Sequence, residues 1–334
     1  MLSQVVELIE SKQKFAITTH VRPDGDGVGS SLGLCWLLRS LGKSAEVIVS
    51  DGVPPAYASL PGFQDIRRVE AIDQEYDAVF VIECSDIERP GIIGLADTFA
   101  VNIDHHATSE HFGTINWIDS TASAVGEMIY NLCKAIGGRI TREIAECLYM
   151  ALVTDTGSFH FSNTTERTFK VASELIKAGV KPALISEAVY NNYPWSRIEL
   201  MRQVLATVKR DPTGRVASLR QTLSMKDDAG AIDGDNNGFV NIPLAARDVL
   251  AVVYMREVGP DEFRVSLRSK GCINVARVAE AFGGGGHRNA SGLRVKGNWD
   301  VKEQELVAAV LAAVDKVAEN FQPIENGSYD LSLS

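Results

Sequence analysis

Cysteine is scarce in this chain and does not pair up. There are five, at Cys35, Cys84, Cys133, Cys147 and Cys272, with no Cys-x-x-Cys spacing. An odd, scattered set argues against a disulfide scaffold or a zinc ribbon and points to a reducing, cytoplasmic setting. Long apolar runs are also missing. No stretch approaches the ~18–20 residues that span a bilayer, so no membrane association is expected. Met1 to Lys14 reads as a mixed polar helix without the apolar centre of a secretion signal. Positive charge is short: 33 Lys and Arg stand against 43 Asp and Glu, a net charge of −10. A coat for long duplex nucleic acid needs a broad basic surface and is thereby excluded, whereas a small anionic substrate in a local pocket is not. Internal repeats and low-complexity blocks are absent.

What is present is an ordinary globular balance, 45% hydrophobic and 23% charged over 334 residues, enough for about two domains. In the first half, short apolar strands at 15–19, 45–49, 78–82 and 99–103 alternate with helices at 4–12, 28–41, 124–136, 142–153 and 166–178. This order predicts an α/β fold with a mainly parallel sheet covered by helices. From about residue 200 the pattern becomes a smaller α+β unit. Strands are expected at 204–210, 216–222, 249–257, 263–269 and 293–295, with helices at 273–282 and 301–320. The expected division is a domain over 1–185, a connector over 186–203, a second domain over 204–322 and a polar tail over 323–334.

Four acidic or His-bearing segments fall just after elements of the first half: His20-Val-Arg-Pro-Asp24-Gly-Asp26, Glu83-Cys-Ser-Asp86, Asp104-His105-His106 and Asp155-Thr-Gly. In an open α/β sheet the loops at the carboxyl ends of the strands converge on one crevice, so groups far apart in sequence can meet there. Imidazole and carboxylate donors without thiolate suit a divalent ion, Mn²⁺ above Mg²⁺, Fe²⁺ or Co²⁺. The donors outnumber what one ion needs, and clustered carboxylates repel one another, so two ions are expected. Each motif alone is commonplace: Asp-Gly-Asp-Gly is usually a turn, and a His pair is usually surface or packing. Together they carry more weight, because three of the six histidines fall in these segments. Two other patterns are set aside. Gly27-Val-Gly29-Ser-Ser-Leu32 lacks the last glycine of a dinucleotide fingerprint, and Asp233-Gly-Asp235-Asn-Asn237-Gly238 meets Leu244 where a calcium loop needs Glu.

In the second half, Arg264, Ser266, Arg268 and Lys270 alternate along a strand, which reads either as a solvated face or as a phosphate-binding one. Gly283 to Gly286 before His287 is either a plain loop or a backbone that lets an anion approach its N–H groups.

The motifs His20-Val-Arg-Pro-Asp24-Gly-Asp26-Gly, Asp104-His105-His106, Asp155-Thr-Gly157 and Gly283-Gly-Gly-Gly-His287, in this order, resemble those of a DHH-superfamily phosphoesterase with a C-terminal DHH-associated domain. The likeness spans roughly residues 10 to 320 and is closest to the short-oligoribonuclease type, whose members also remove the 3′-phosphate of 3′-phosphoadenosine 5′-phosphate. The resemblance implies that His20, Asp24, Asp26, His105 and Asp155 are metal ligands. It implies that His106 lies over the scissile phosphate with Asp104 in support. The family usually has Asp after the strand ending at Ile82, where this chain has Glu83. Asp86 competes for that role, and the alignment through Glu88-Arg89 favours Glu83. Substrate binding falls to Arg264, Arg268, Ser269, Lys270, Gly284, Gly285, Gly286, His287 and Ser291, with Asn289 and Gly292 completing the loop. The implied substrates are RNA of about two to five nucleotides and nucleotide phosphates, and the implied assembly is a homodimer. Two rival readings stand beside this one: a linear or cyclic dinucleotide phosphodiesterase of signalling, and a catalytically silent nucleotide sensor.

Overall fold

The computed structural model describes residues 1–318. The expected polar tail, and the last two residues of the helix expected over 301–320, lie outside the described residues. The chain divides between Asn192 and Tyr193 into two units. The stretch read as a connector is therefore shared between them.

In the first unit the elements run α1 (Leu2–Ser11), β1 (Lys14–Thr19), α2 (Gly25–Ser40), β2 (Ser44–Val49), β3 (Arg67–Arg68), β4 (Ala78–Ile82), β5 (Ala100–Asp104), β6 (Ile115–Ile118), α3 (Val125–Ala135), α4 (Arg142–Asp155), α5 (Glu166–Lys177) and α6 (Pro182–Tyr190). The six strands form one parallel sheet in the order β3-β2-β1-β4-β5-β6. This is a doubly wound order. The chain proceeds outward from β1 in one direction and then from β4 in the other, so the loops after these two neighbours part and leave a crevice at the carboxyl edge. Every residue of β4 is buried, as a strand covered on both faces requires. The sequence pattern locates the four longer strands. It passes over β3, only two residues long, and β6, a half-exposed strand at the sheet edge.

Helix α2 is apolar or small on every side and is buried along most of its length. It packs along α4, and its glycines make that approach possible. A Cβ on Gly29 would stand 2.4 Å from the Cys147 carbonyl oxygen of α4. The glycine run that resembled a broken nucleotide fingerprint is thus explained by helix packing. The core beneath is built from Phe15, Ile17, Leu34, Leu38, Phe80, Ile82, Val101, Met128, Leu132, Leu148 and Leu152.

The second unit contains α7 (Trp195–Leu205), β7 (Lys209–Arg210), β8 (Val216–Gln221), α8 (Leu223–Ala229), α9 (Asn241–Leu244), β9 (Ala251–Gly259), β10 (Glu262–Ser269), α10 (Val275–Ala281), β11 (Gly285–His287), β12 (Ala290–Lys296) and α11 (Trp299–Ala318). Its mixed sheet runs β11-β12-β10-β9-β8-β7, with β8 and β9 parallel and the other pairs antiparallel. One face packs Val253, Met255, Val265, Leu267 and Leu293 against α10 and α11. The other packs Ala217, Leu219, Val252 and Tyr254 with Leu200, Val204 and Phe239. The strand expected over 204–210 is corrected here: Val204 and Leu205 end α7, and only Lys209 and Arg210 are extended. Val204 is β-branched, but it lies four residues after Leu200 on the one apolar stripe of α7, and tertiary burial overrides its β preference. The Asp233–Gly238 loop is occupied by side chains: Lys226 pairs with Asp233, and the Arg197 guanidinium donates to the Asp235 and Asn237 carbonyls. Among the described residues no helix is long and apolar enough to cross a membrane.

The helix-packing account makes a direct prediction. Gly29→Ala should lower stability by about 1–3 kcal/mol in urea unfolding, the usual cost of overpacking. Gly52→Ala, where a Cβ meets nothing within 4 Å, should be neutral or slightly stabilising. Equal midpoints for the two variants would refute close α2–α4 contact as the reason for Gly29.

Candidate metal centre

Three loops and one helix end supply the polar side chains at the carboxyl edge of the first sheet. After β1, His20 is buried and its Nδ1 lies 2.9 Å from the Val21 carbonyl oxygen. A carbonyl can only accept, so a neutral His20 carries its hydrogen on Nδ1 and turns the Nε2 lone pair towards the carboxylates. Asp24 caps α2, accepting from the Asp26 and Gly27 N–H groups. Asp26, in the first turn of α2, is fully buried. It accepts from Ser30 Oγ at 2.6 Å and from the Val125 and Gly126 N–H groups at 2.7 and 3.0 Å, the amino end of α3. After β4 comes Glu83, buried, with φ of 57° in the left-handed region that a non-glycine residue rarely occupies. Its carboxylate reaches over Gly27, where a Cβ would come within 3.0 Å of Oε2 and 2.5 Å of Thr19 Oγ1. Strain of this kind persists only where the surroundings impose it, as they do at functional sites.

After β5, Asp104 is fully buried and accepts from His106 Nδ1 at 2.8 Å and from the His105 and His106 N–H groups. The hydrogen bond to Asp104 raises the pKa of His106 above its ordinary value. His105 directs Nδ1 at the Ala122 carbonyl, 3.2 Å away, which leaves Nε2 facing Asp26 and Asp155. Asp155 is the last residue of α4.

These side chains form three overlapping donor groups: His20, Asp24 and Glu83; Asp26, Glu83, His105 and Asp155; and Glu83, His105 and His106. Within each group the ligand atoms lie within 4.8 Å of one another. Glu83 belongs to all three. Asp86 belongs to none; its carboxylate accepts from the Glu88 and Arg89 N–H groups and closes a turn.

The spacing fits a cation. His20 Nε2 is 3.5 Å from Glu83 and 3.8 Å from Asp24, and His105 Nε2 is 3.6 Å from Asp155 and 3.9 Å from Asp26. All four exceed a hydrogen bond. Metal–ligand distances of about 2.0–2.2 Å place neighbouring donors roughly 3–3.5 Å apart, close to what is seen. His105 Nε2 and Glu83 Oε2 are buried and lack a hydrogen-bond partner among the described residues, as expected of donors reserved for an ion. Burial and neighbouring carboxylates push Glu83 well above its usual pKa. Burial raises Asp26, and burial with the Asp26 charge lifts Asp155 to about 7.

The substrate-binding candidates sit in the second unit. Arg268 on β10, Ala290 on β12 and His287 on β11 occupy one row across three strands. Arg264 and His287 are exposed, and Arg268 is half-buried. Among the described residues Arg268 donates to the Leu267 carbonyl and not to a carboxylate, and burial lowers its pKa. Lys270 lies beyond the strand end and donates to the Ala246 carbonyl. The Ser269 and Ser291 hydroxyls donate to the Ile273 and Val275 carbonyls, and Asn289 donates to Ser269 Oγ. The glycine run is no free loop. Gly283 and Gly284 donate to carbonyls at the end of α10, while Gly285 to His287 form the edge strand β11, paired with β12 through Gly292, Ser291 and Ala290.

Sequence reasoning passes over Ser123, Glu127, Asn163 and Arg167. Glu127 is fully buried; it accepts from Ser123 N–H and Oγ and pairs with Arg167, which also reaches Asp119. None of the four stands in a chemical motif, and an isolated loop asparagine reads as a turn residue.

The charge arrangement predicts how metal-free protein responds to pH. Asp155 rises from its ordinary 3.8 to about 7 on folding. Between those values the folded chain keeps a proton that the unfolded chain has released, so stability falls as pH rises. In chelator, Tm of the wild type minus Tm of Asp155→Asn should therefore fall from about pH 4 to about pH 7 and level off above. Added Mn²⁺ should reverse the sign. A difference that grows with pH in chelator would refute the repulsion.

Comparison with known proteins agrees with this geometry. The DHH family N-terminal domain matches residues 14–152 and the DHHA1 domain matches residues 218–320. A Thermus thermophilus protein named bifunctional oligoribonuclease and PAP phosphatase NrnA is 32% identical over 299 residues, covering 89% of this chain and 88% of its own. A Bacillus subtilis protein of the same name is 28% identical, covering 92% of this chain and 96% of its own. The crystal structure of an exopolyphosphatase-related protein from Bacteroides fragilis superposes with a TM-score of 0.85 at 31% identity, covering 96% of each chain. The donor set, the doubly wound sheet and the order of the two domains meet in one conclusion: the chain belongs to the DHH family of metal-dependent phosphoesterases.

Proposed function

We propose that this protein is a two-metal phosphoesterase that hydrolyses RNA of about two to five nucleotides to mononucleotides and removes the 3′-phosphate of 3′-phosphoadenosine 5′-phosphate. The observation that carries the reading is the pair of donor groups, His20-Asp24-Glu83 and Asp26-Glu83-His105-Asp155, that share the Glu83 carboxylate. Shared donors suit two adjacent cations, and the mixture of imidazole and carboxylate favours Mn²⁺. The names of the Thermus thermophilus and Bacillus subtilis relatives support the substrate class. When bound, such cations neutralise phosphoryl charge and lower the pKa of water.

The protein's own residues supply the rest. Asp104 holds the His106 ring through Nδ1 and favours the imidazolium. His106 Nε2 is then a proton donor suited to a phosphate oxygen or a leaving hydroxyl. Asp26 and His105 are tied to backbone groups before and at the start of α3, which fixes their orientation before substrate arrives. In the second unit, the Arg268 and His287 row is assigned to a substrate phosphate, because a half-buried guanidinium without a carboxylate partner suits a phosphate oxygen. Arg264, Lys270 and the Gly284–Gly286 backbone complete that assignment. Ser269 and Ser291 act through the turn they brace.

The test is release of mononucleotide from a dinucleotide and of phosphate from 3′-phosphoadenosine 5′-phosphate. Both activities should require Mn²⁺ and stop in chelator. His106→Ala should lower kcat by about 10²–10⁴-fold, the usual contribution of a positioned proton donor. Asp155→Ala retaining full activity in chelator would sink the reading. A faster rate on a cyclic dinucleotide than on short linear RNA would favour the signalling rival.

A further inference from the structure

The segment 122–126, the end of the loop after β6 and the first two residues of α3, holds the donor set together. Its Ala122 carbonyl fixes the His105 ring, and its Val125 and Gly126 N–H groups hold Asp26. Asp155 reaches the same place from a different element, the end of α4, and no backbone hydrogen bond of that segment secures it. One side chain joins the two. Asn163 Nδ2 donates to the Ser123 carbonyl at 3.0 Å, to the Asp155 carbonyl at 3.1 Å and to Asp155 Oδ2 at 3.3 Å. The two backbone carbonyls can only accept, so the amide orientation is dictated by chemistry.

The surrounding chain returns Asn163 to this spot. Gly157, Ser158 and Phe159 are consecutively left-handed, with φ of 56°, 61° and 65°. The turn is held by Thr156, whose Oγ1 accepts from Phe159 N–H and whose carbonyl accepts from His160 and Phe161. Beyond Asn163, Thr165 and Thr168 form a capping box that starts α5. Within that first turn Arg167, the second residue of α5, reaches Glu127, which grips Ser123 from its other side. Residue Ser123 is therefore fastened at its carbonyl by Asn163 and at its N–H and hydroxyl by Glu127.

We propose that Asn163 is a positioning residue for the metal centre: it sets the separation of Asp155 from the segment whose backbone holds Asp26 and His105, and so the size of the shared donor group. The Glu127–Arg167 pair is the backing on which that link rests. This inference depends on the metal reading of the donor groups. Partners that orient metal ligands typically change affinity by about 10- to 100-fold when removed.

The experiment is calorimetric titration of the full chain with Mn²⁺ alone. Asn163→Ala is expected to bind about 10- to 100-fold more weakly than the wild type. Its Tm in chelator should stay within about 4 °C of the wild type. On a dinucleotide, kcat should fall while KM stays within roughly threefold, because substrate contacts are untouched. Asn163→Leu keeps the volume without the donor and carries the same expectation should alanine loosen the loop. Wild-type Mn²⁺ affinity in either folded variant overturns the proposal. So does a loss of affinity matched by a fall of more than about 10 °C in the chelated Tm, the mark of a purely structural role. A wild-type chain that binds no Mn²⁺ in the same titration overturns the metal reading, and this proposal with it.

Discussion

Mutual repulsion among buried carboxylates is the constraint around which the first unit is organised. Asp26, Glu83 and Asp155 offer oxygens to one donor group within 4.8 Å, and two of the three side chains are almost wholly out of water. Like charges this close cannot all ionise at neutral pH without a counter-charge. Protons meet that need only in part; divalent cations meet it in full and turn the strain into affinity. Other features follow from the same constraint. Asp26 is surrounded by N–H donors, the ring orientation of His105 is set by a carbonyl, and Glu83 is tolerated in a left-handed conformation.

The sheet order explains why this site sits where it does. The strands on either side of the reversal are β1 and β4, and their loops carry His20, Asp24 and Glu83. One strand further, β5 supplies Asp104, His105 and His106. Helix α4 packs along α2, which brings Asp155 at its end to the same edge. The glycines of α2 serve two demands at once: Gly29 lets α4 approach, and Gly27 leaves room for the Glu83 carboxylate. Packing and chemistry are thus met by one short stretch of sequence.

The second unit answers a different problem. Its sheet is covered on one face by α10 and α11 and on part of the other by α7 and its neighbours. What stays accessible around β10, β11 and β12 is rich in Arg and Gly. A net charge of −10 is therefore compatible with binding small polyanions, because recognition of a few phosphates needs a few guanidinium groups, not an extended basic surface.

Much of this was legible in the chain itself. The alternation of apolar strands with helices, the strand at 78–82, the chemistry of the four acidic or His-bearing segments and their family are properties of local pattern, and local pattern survives folding because each element must bury its own stripe or face. Short or ambiguous stretches were not legible: β3 and β6 are too brief to show a period, and Val204 follows the helical stripe begun by Leu200 despite its β-branch. Only the tertiary structure separates Glu83 from Asp86, three residues apart and chemically alike: it brings one carboxylate beside His20 and His105 and the other onto its own turn. It alone revealed Asn163, Glu127 and Arg167, whose significance lies wholly in what they touch. Residue type and spacing specify which chemistry is possible. Which side chains meet depends on contacts between distant segments, and those exist only once the sheet has closed its order and the helices have packed.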